Sequence, residues 1–109
     1  MKFHEKVGPL TIQLCFVFNG WIVGGSVDYL SGRSENIPRD IDIIIPLSEW
    51  PKASKILTAG KINSFGGVKI KDGDFEVNVW PEDIGFAFCQ LKNNFKAYQA
   101  KYNLVIGAV

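Results

Sequence analysis

Polar and apolar positions change period several times along this chain, and each change marks a predicted element. Pro9 to Phe18 is apolar enough to be buried and is followed by Asn19-Gly20. Asn-Gly between two apolar runs signals a hairpin, while the same Gly would also serve as the left-handed stop of a helix. The residues alone leave that element open. Trp21 to Val23 predicts a short buried strand, broken by Gly24-Gly25-Ser26. Ser26 is placed to cap a short helix through Leu30 that stops at Gly32. Arg33 to Pro38 reads as a loop.

Asp40 to Ile45 is the clearest strand, stopped by Pro46. Ser48 is expected to cap the next helix, whose inner face is Trp50, Ala53, Ile56 and Leu57, with Gly60 ending it. Val68 to Lys71, the turn Asp72-Gly73, and Phe75 to Trp80 predict a hairpin. Beyond Pro81, apolar residues at Ile84, Phe88, Leu91, Phe95, Tyr98 and Tyr102 describe one helical stripe, with a break marked by Asn93-Asn94. That stripe packs on the core or, as the alternative, offers a surface for a second copy or a partner chain. Leu104 to Val109 reads as an edge strand or a tail. The order predicts an α/β or α+β domain: a small mixed sheet flanked by helices, formed by residues 1–109 as a single unit.

Composition narrows the function classes. At 109 residues the chain suits one domain, and 12 basic against 11 acidic residues leave no global field to gather nucleic acid. No apolar run approaches the roughly 20 residues of a membrane span, so no membrane partner is expected. The start Met1 to Lys6 is cationic, but no small-residue cleavage site follows, which argues against a signal peptide. Cys15 and Cys89 sit in apolar company and read as buried thiols of a cytoplasmic protein. One His and no paired Cys motif exclude a structural zinc site.

Three elements carry candidate chemistry. Strand alternation puts Asp40 and Asp42 on one face while Ile41, Ile43 and Ile45 point into the core. Two carboxylates so placed are tolerable when solvated and favourable when a divalent cation neutralises them. Trp21 to Ser26 is a strand leading through two glycines into a helix start, where missing Cβ atoms and unpaired N–H groups suit a phosphate. In Phe75 to Trp80, alternation sets Glu76, Asn78 and Trp80 on the face opposite Phe75, Val77 and Val79. Glu76 or Asn78 would join the aspartates if the two strands were neighbours.

Together, Val23-Gly24-Gly25-Ser26, a short helix, and Asp40-Ile41-Asp42 followed by apolar residues resemble the active-site signature of the DNA polymerase β-like nucleotidyltransferase superfamily. The stretches Val23 to Val27 and Leu30-Ser31-Gly32-Arg33 are closest to the head domain of tRNA nucleotidyltransferases and bacterial poly(A) polymerases. The motif covers Trp21 to Ile45. The resemblance implies a helix over Pro9 to Phe18. It also implies transfer of a nucleoside monophosphate from a nucleoside triphosphate to an acceptor hydroxyl. Asp40 and Asp42, with Glu76 as third acid, would hold one or two Mg²⁺ ions. Gly24, Gly25 and Ser26 would hold phosphates, with Arg39 and Asn78 beside them. The acceptor is open between RNA and protein.

The chain departs from that pattern. The tRNA-type helix carries an Arg-Asp pair, of which Ser26 to Leu30 keeps only Asp28. The third-carboxylate position holds Asn78, which can ligate through its carbonyl but brings no charge. Relatives that extend RNA carry a further helical region not seen here. The alternative is therefore a catalytically weakened domain of the same fold that binds, or regulates through a partner. Arg33 and Arg39 flank the motif and would meet phosphate charge, although solvated surface cations need no such role.

Overall fold

The computed structural model describes residues 2–63, 65–91, 96–102 and 104–107, the side chains of 88–91 and 104–107 excepted. The elements run α1 (Phe3–Lys6), α2 (Pro9–Phe16), β1 (Trp21–Val23), a 3₁₀ turn (Gly24–Ser26), α3 (Val27–Leu30), β2 (Asp40–Ile45) and α4 (Trp50–Lys55). They continue with β3 (Lys61–Ile62), β4 (Val68–Asp72), β5 (Phe75–Pro81), α5 (Glu82–Leu91), β6 (Lys96–Gln99) and β7 (Leu104–Gly107). The strands form one mixed sheet in the order β3-β4-β5-β2-β1-β6-β7. β2 and β5 pair in parallel, and the other described pairs are antiparallel. The α+β class expected from the chain is the class observed.

Alternation along the strands divides the sheet into two faces. On one, Ile22, Ile41, Ile43, Ile45, Val77, Val79 and Tyr98 pack with Leu14 and Cys15 of α2, Val27 and Leu30 of α3, and Ala53 and Leu57 at α4. Burial pushes the free Cys15 thiol up to about 12, which keeps it an inert apolar filler. The second face has a smaller cluster of Val23, Ile44 and Ala97, with Trp21 and Phe86 against it. α5 covers that end closely: a Cβ on Gly85 would lie 2.6 Å from Ile44 Cγ1 and 3.3 Å from Trp80 Cβ. The other end of this face carries Asp40, Asp42, Glu76 and Asn78, which are exposed or half-buried.

Several local expectations need correction. The left-handed residue after α2 is Asn19 at φ +57, not Gly20. Gly20 is required by space, since a Cβ there would sit 2.7 Å from the Leu14 carbonyl oxygen. Ser26 makes no side-chain cap, because the chain passes through the 3₁₀ turn before α3 begins. Ser48 does not cap α4 either: the cap position is Glu49, and Pro51 occupies the first turn. α4 ends at Lys55, yet Ile56 and Leu57 keep their inward packing in the following turn. In the hairpin, Asp72 pairs with Phe75, so the two loop residues are Gly73 and Asp74, with Gly73 at φ +63. Glycine first in a two-residue loop suits the twist of the flanking strands.

The stripe from Ile84 to Tyr102 is not one helix. α5 stops at Leu91, and Tyr98 lies in β6, which pairs with the free edge of β1 through Ile22↔Tyr98 and Val23↔Ala97. Backbone pairing of that edge overrides the helical spacing. Ala97 and Tyr98 then alternate between the two faces while both remain buried. Tyr102 is exposed. Asn93, Asn94 and Phe95, and the side chains of Phe88, Cys89 and Leu91, lie outside the described residues. Of the two readings left open for Leu104 to Val109, the edge strand is the one formed, over Leu104–Gly107, and residues 108–109 lie outside the described residues.

Two carboxylates fasten the fold. Asp72, buried at the hairpin turn, accepts hydrogen bonds from Thr11 N–H at 2.8 Å, Thr11 Oγ1–H at 2.7 Å and Leu10 N–H at 3.3 Å. The cap position of α2 is Gly8, which has no side chain, so the hairpin supplies the capping carboxylate from 61 residues away. Gly8 is also where a Cβ would strike that carboxylate. Asp28 of α3 binds Lys96 of β6 at 2.8 Å and Arg33 at 3.4 Å. The Lys96 hydrogen bond, aided by the charges of Lys96 and Arg33, holds the Asp28 carboxyl below its usual value against a smaller opposing desolvation.

Asp72→Ala should lower stability by about 2–3 kcal/mol, read as a reduced urea midpoint at unchanged slope, because it leaves buried donors unpaired. Asp28 behaves differently with pH. A carboxyl lowered in the folded state stabilises folding above its unfolded value of about 4, and that contribution is lost as pH falls through the folded value. The urea midpoint of Asp28→Asn should therefore fall below wild type at neutral pH, and the gap should close as pH drops below the ordinary carboxylate range and through the lowered folded-state value. A gap that persists undiminished in acid would refute the pairing as its source.

Candidate active site

The glycine turn and the acidic strand meet because β1 and β2 are neighbours. Their antiparallel register sets Val23 opposite Asp42, and the chain turns immediately afterwards at Gly24. Gly24 adopts φ +79, which L side chains rarely tolerate. A Cβ at Gly24 would lie 3.3 Å from Asp42 Oδ2, so the carboxylate rests against bare backbone. Gly25 faces open space, with no atom within 4 Å of where its Cβ would be.

On the other side of β2 lies β5, in the parallel register Asp40↔Glu76 and Asp42↔Asn78. Residues opposed in register share a face, so Asp40, Asp42, Glu76 and Asn78 form a square on two adjacent strands about 4.8 Å apart. The juxtaposition that the sequence made conditional on strand order is thus realised. Glu76 is engaged by Lys69 of β4, at 3.4 Å between Nζ and Oε1. Among the described residues no three His, Cys, Asp or Glu side chains converge as a metal-holding group.

Ser26 is 3% exposed, and its hydroxyl is a buried polar atom with no hydrogen-bond partner among the described residues. Such an orphan costs stability unless something in function satisfies it. Arg33 does not attend the site, being held by Asp28 and donating to Ser31 Oγ at 3.2 Å. Arg39 stays at the site's margin, exposed, with its carbonyl accepting from Glu76 N–H at 3.3 Å. Trp80 is buried and donates its indole N–H to Asn63 Oδ1 at 3.2 Å.

The donor set suits Mg²⁺. That ion is commonly held by one or two carboxylates, with phosphate oxygens and water completing its shell. Asp40 and Asp42 supply those carboxylates on one face, and the Asn78 side-chain carbonyl stands in register beside Asp42. Lys69 was legible as a polar-face residue of Val68-Lys69-Ile70-Lys71. Its pairing with Glu76 was not, because that needs the β4–β5 register. Comparison with protein-family models, curated proteins and solved structures finds no match.

Ser26→Ala separates site from scaffold. Removing an orphaned hydroxyl should leave thermal stability equal to wild type or raise it by up to about 1–2 kcal/mol. If a phosphate satisfies that hydroxyl, the same variant should bind nucleoside triphosphate several-fold more weakly, as read by titration calorimetry. A destabilised Ser26→Ala would show instead that the hydroxyl already has a structural partner.

Proposed function

We propose that this chain is a minimal metal-dependent nucleotidyltransferase, moving a nucleoside monophosphate from a triphosphate to an acceptor hydroxyl. The observation that carries the reading is the seating of the Asp42 carboxylate against Gly24, with Val23 opposite Asp42 in register. A triphosphate lying over the glycine turn would thereby come within reach of the aspartates. The resemblance in Val23-Gly24-Gly25-Ser26 and Asp40-Ile41-Asp42 points to the same chemistry.

In this reading Gly24 and Gly25 let the backbone approach the β- and γ-phosphates, and the Ser26 hydroxyl, buried in the ligand-free fold, would rotate outward to donate to one of them. Asp40 and Asp42 would hold Mg²⁺, with Glu76 as a third acid that must exchange its Lys69 contact. When bound, the ion supplies charge neutralisation along the triphosphate and at the attacked phosphorus. The acceptor hydroxyl gives up its proton to water and its oxygen bonds to the α-phosphorus as the bond to the bridging oxygen breaks, and pyrophosphate leaves.

A second reading is favoured by the engagement of Glu76 with Lys69 and by Asn78 beside Asp42. In it the domain keeps the nucleotide site and has lost transfer. Melting temperatures with each of the four ribonucleoside triphosphates, with and without Mg²⁺, test both. Occupancy at a hundred times Kd adds about 2.7 kcal/mol, several degrees for a domain of this size. The expected result is a Mg²⁺-dependent rise that disappears in Asp42→Asn, compared as ligand-induced shifts only. Pyrophosphate release with candidate acceptors then divides enzyme from binder. No shift with any triphosphate at millimolar concentration would remove both readings.

A further inference from the structure

The register aligns Lys61, Lys69, Asn78, Asp42 and Val23 in one row from β3 to β1. The next row holds Lys71, Glu76 and Asp40. Residues opposed in register share a face, so the three lysines stand on the same face as the aspartates. At about 4.8 Å per strand, Lys69 is about 10 Å from Asp42 along the row and Lys61 about 14 Å.

These lysines and Arg39 line a cavity of about 420 Å³, whose other charged residues are Asp74 and Glu76. Glu76 is paired with Lys69, while Arg39, Lys61 and Lys71 make no salt bridge among the described residues. Four cations against two acids is a local excess in a chain whose formal net charge is +1. Lys61 directly faces Lys69 across the β3–β4 ladder, a like-charge pair that weakens a sheet. A bound anion turns that repulsion into attraction. No aromatic ring lines the cavity, so it selects by charge and not by stacking.

We infer that this cavity binds a phosphate group of the acceptor molecule, held by Lys61, Lys69, Lys71 and Arg39. The acidic pair lies between the glycine turn at the end of β1 and the lysines on β3 and β4. The donor triphosphate and the acceptor phosphate therefore approach the aspartates from opposite sides. Only the word acceptor rests on the proposed transfer; the anion site stands on the cavity itself. The phosphate belongs either to a small phosphate ester or to a nucleic-acid strand.

Titration calorimetry with inorganic pyrophosphate and with a single-stranded hexanucleotide, without divalent metal or nucleoside triphosphate, tests the site. Wild type should bind pyrophosphate, and Lys61→Gln/Lys71→Gln should weaken it about ten-fold. The charge-matched control Lys52→Gln/Lys55→Gln, on α4, should stay within about two-fold of wild type. Tighter hexanucleotide binding, with a log–log salt slope of about −3 for four contacts, assigns the phosphate to a strand. Equal or weaker hexanucleotide binding assigns it to a small ester. Lys61→Gln alone should also raise the ligand-free melting temperature by relieving the Lys61–Lys69 opposition. No binding of either probe, or equal loss in both double variants, would overturn the inference. A missing Mg²⁺–nucleotide shift with pyrophosphate binding intact would instead defeat both readings of the nucleotide site and leave the anion site standing.

Discussion

The parallel pairing of Asp40–Ile45 with Phe75–Pro81 is the constraint on which the rest of the molecule depends. Six residues pair in unbroken register, from Asp40↔Glu76 to Ile45↔Pro81. Ile41, Ile43 and Ile45 are fully buried on one face, together with Val77 and Val79. A slip of one residue would turn those side chains to solvent and drive Asp40 and Asp42 into the apolar core. Burying unpaired carboxylates costs far more than a strand of this length could recover. The isoleucines thus fix the position of the aspartates, and the chemistry inherits its geometry from the packing.

Parallel strands need a long crossover, and this one contains α4, β3 and β4. The crossover does more than return the chain. It brings Lys69 onto Glu76, and its hairpin turn delivers Asp72 to the start of α2. α2 in turn roofs the isoleucine face through Leu14 and Cys15. The acidic strand, the hairpin and the first long helix are therefore coupled. A change at Asp72, remote in sequence from the aspartates, acts on the layer that holds them.

Much of this was legible in the residues. Alternation in Asp40 to Ile45 separated carboxylates from core, and the hairpin declared itself by its flanking strands and turn glycine, although its loop is Gly73-Asp74 and not Asp72-Gly73. What escaped was whatever depends on partners distant in sequence. β3 has two residues and owes its existence to pairing with β4. Ala97 and Tyr98 become a strand because β1 has an unpaired edge, although Tyr98 completes a helical spacing with Ile84. Ser26 and Ser48 look like helix caps, but the backbone enters each helix by another route. Asp72 hid its role, since nothing local says that a turn aspartate will cap a helix begun by Gly8 and Pro9.

The central claim is that the glycine turn and the acidic pair form one metal–nucleotide site. Amide NMR spectra with substoichiometric Mn²⁺ and a non-hydrolysable triphosphate test it most directly. Paramagnetic broadening should centre on the amides of Gly24, Gly25 and Ser26 together with Asp40 to Asp42, and should require the triphosphate for its full extent. Broadening of the acidic strand that leaves the glycine turn untouched, or centred away from both, would contradict it.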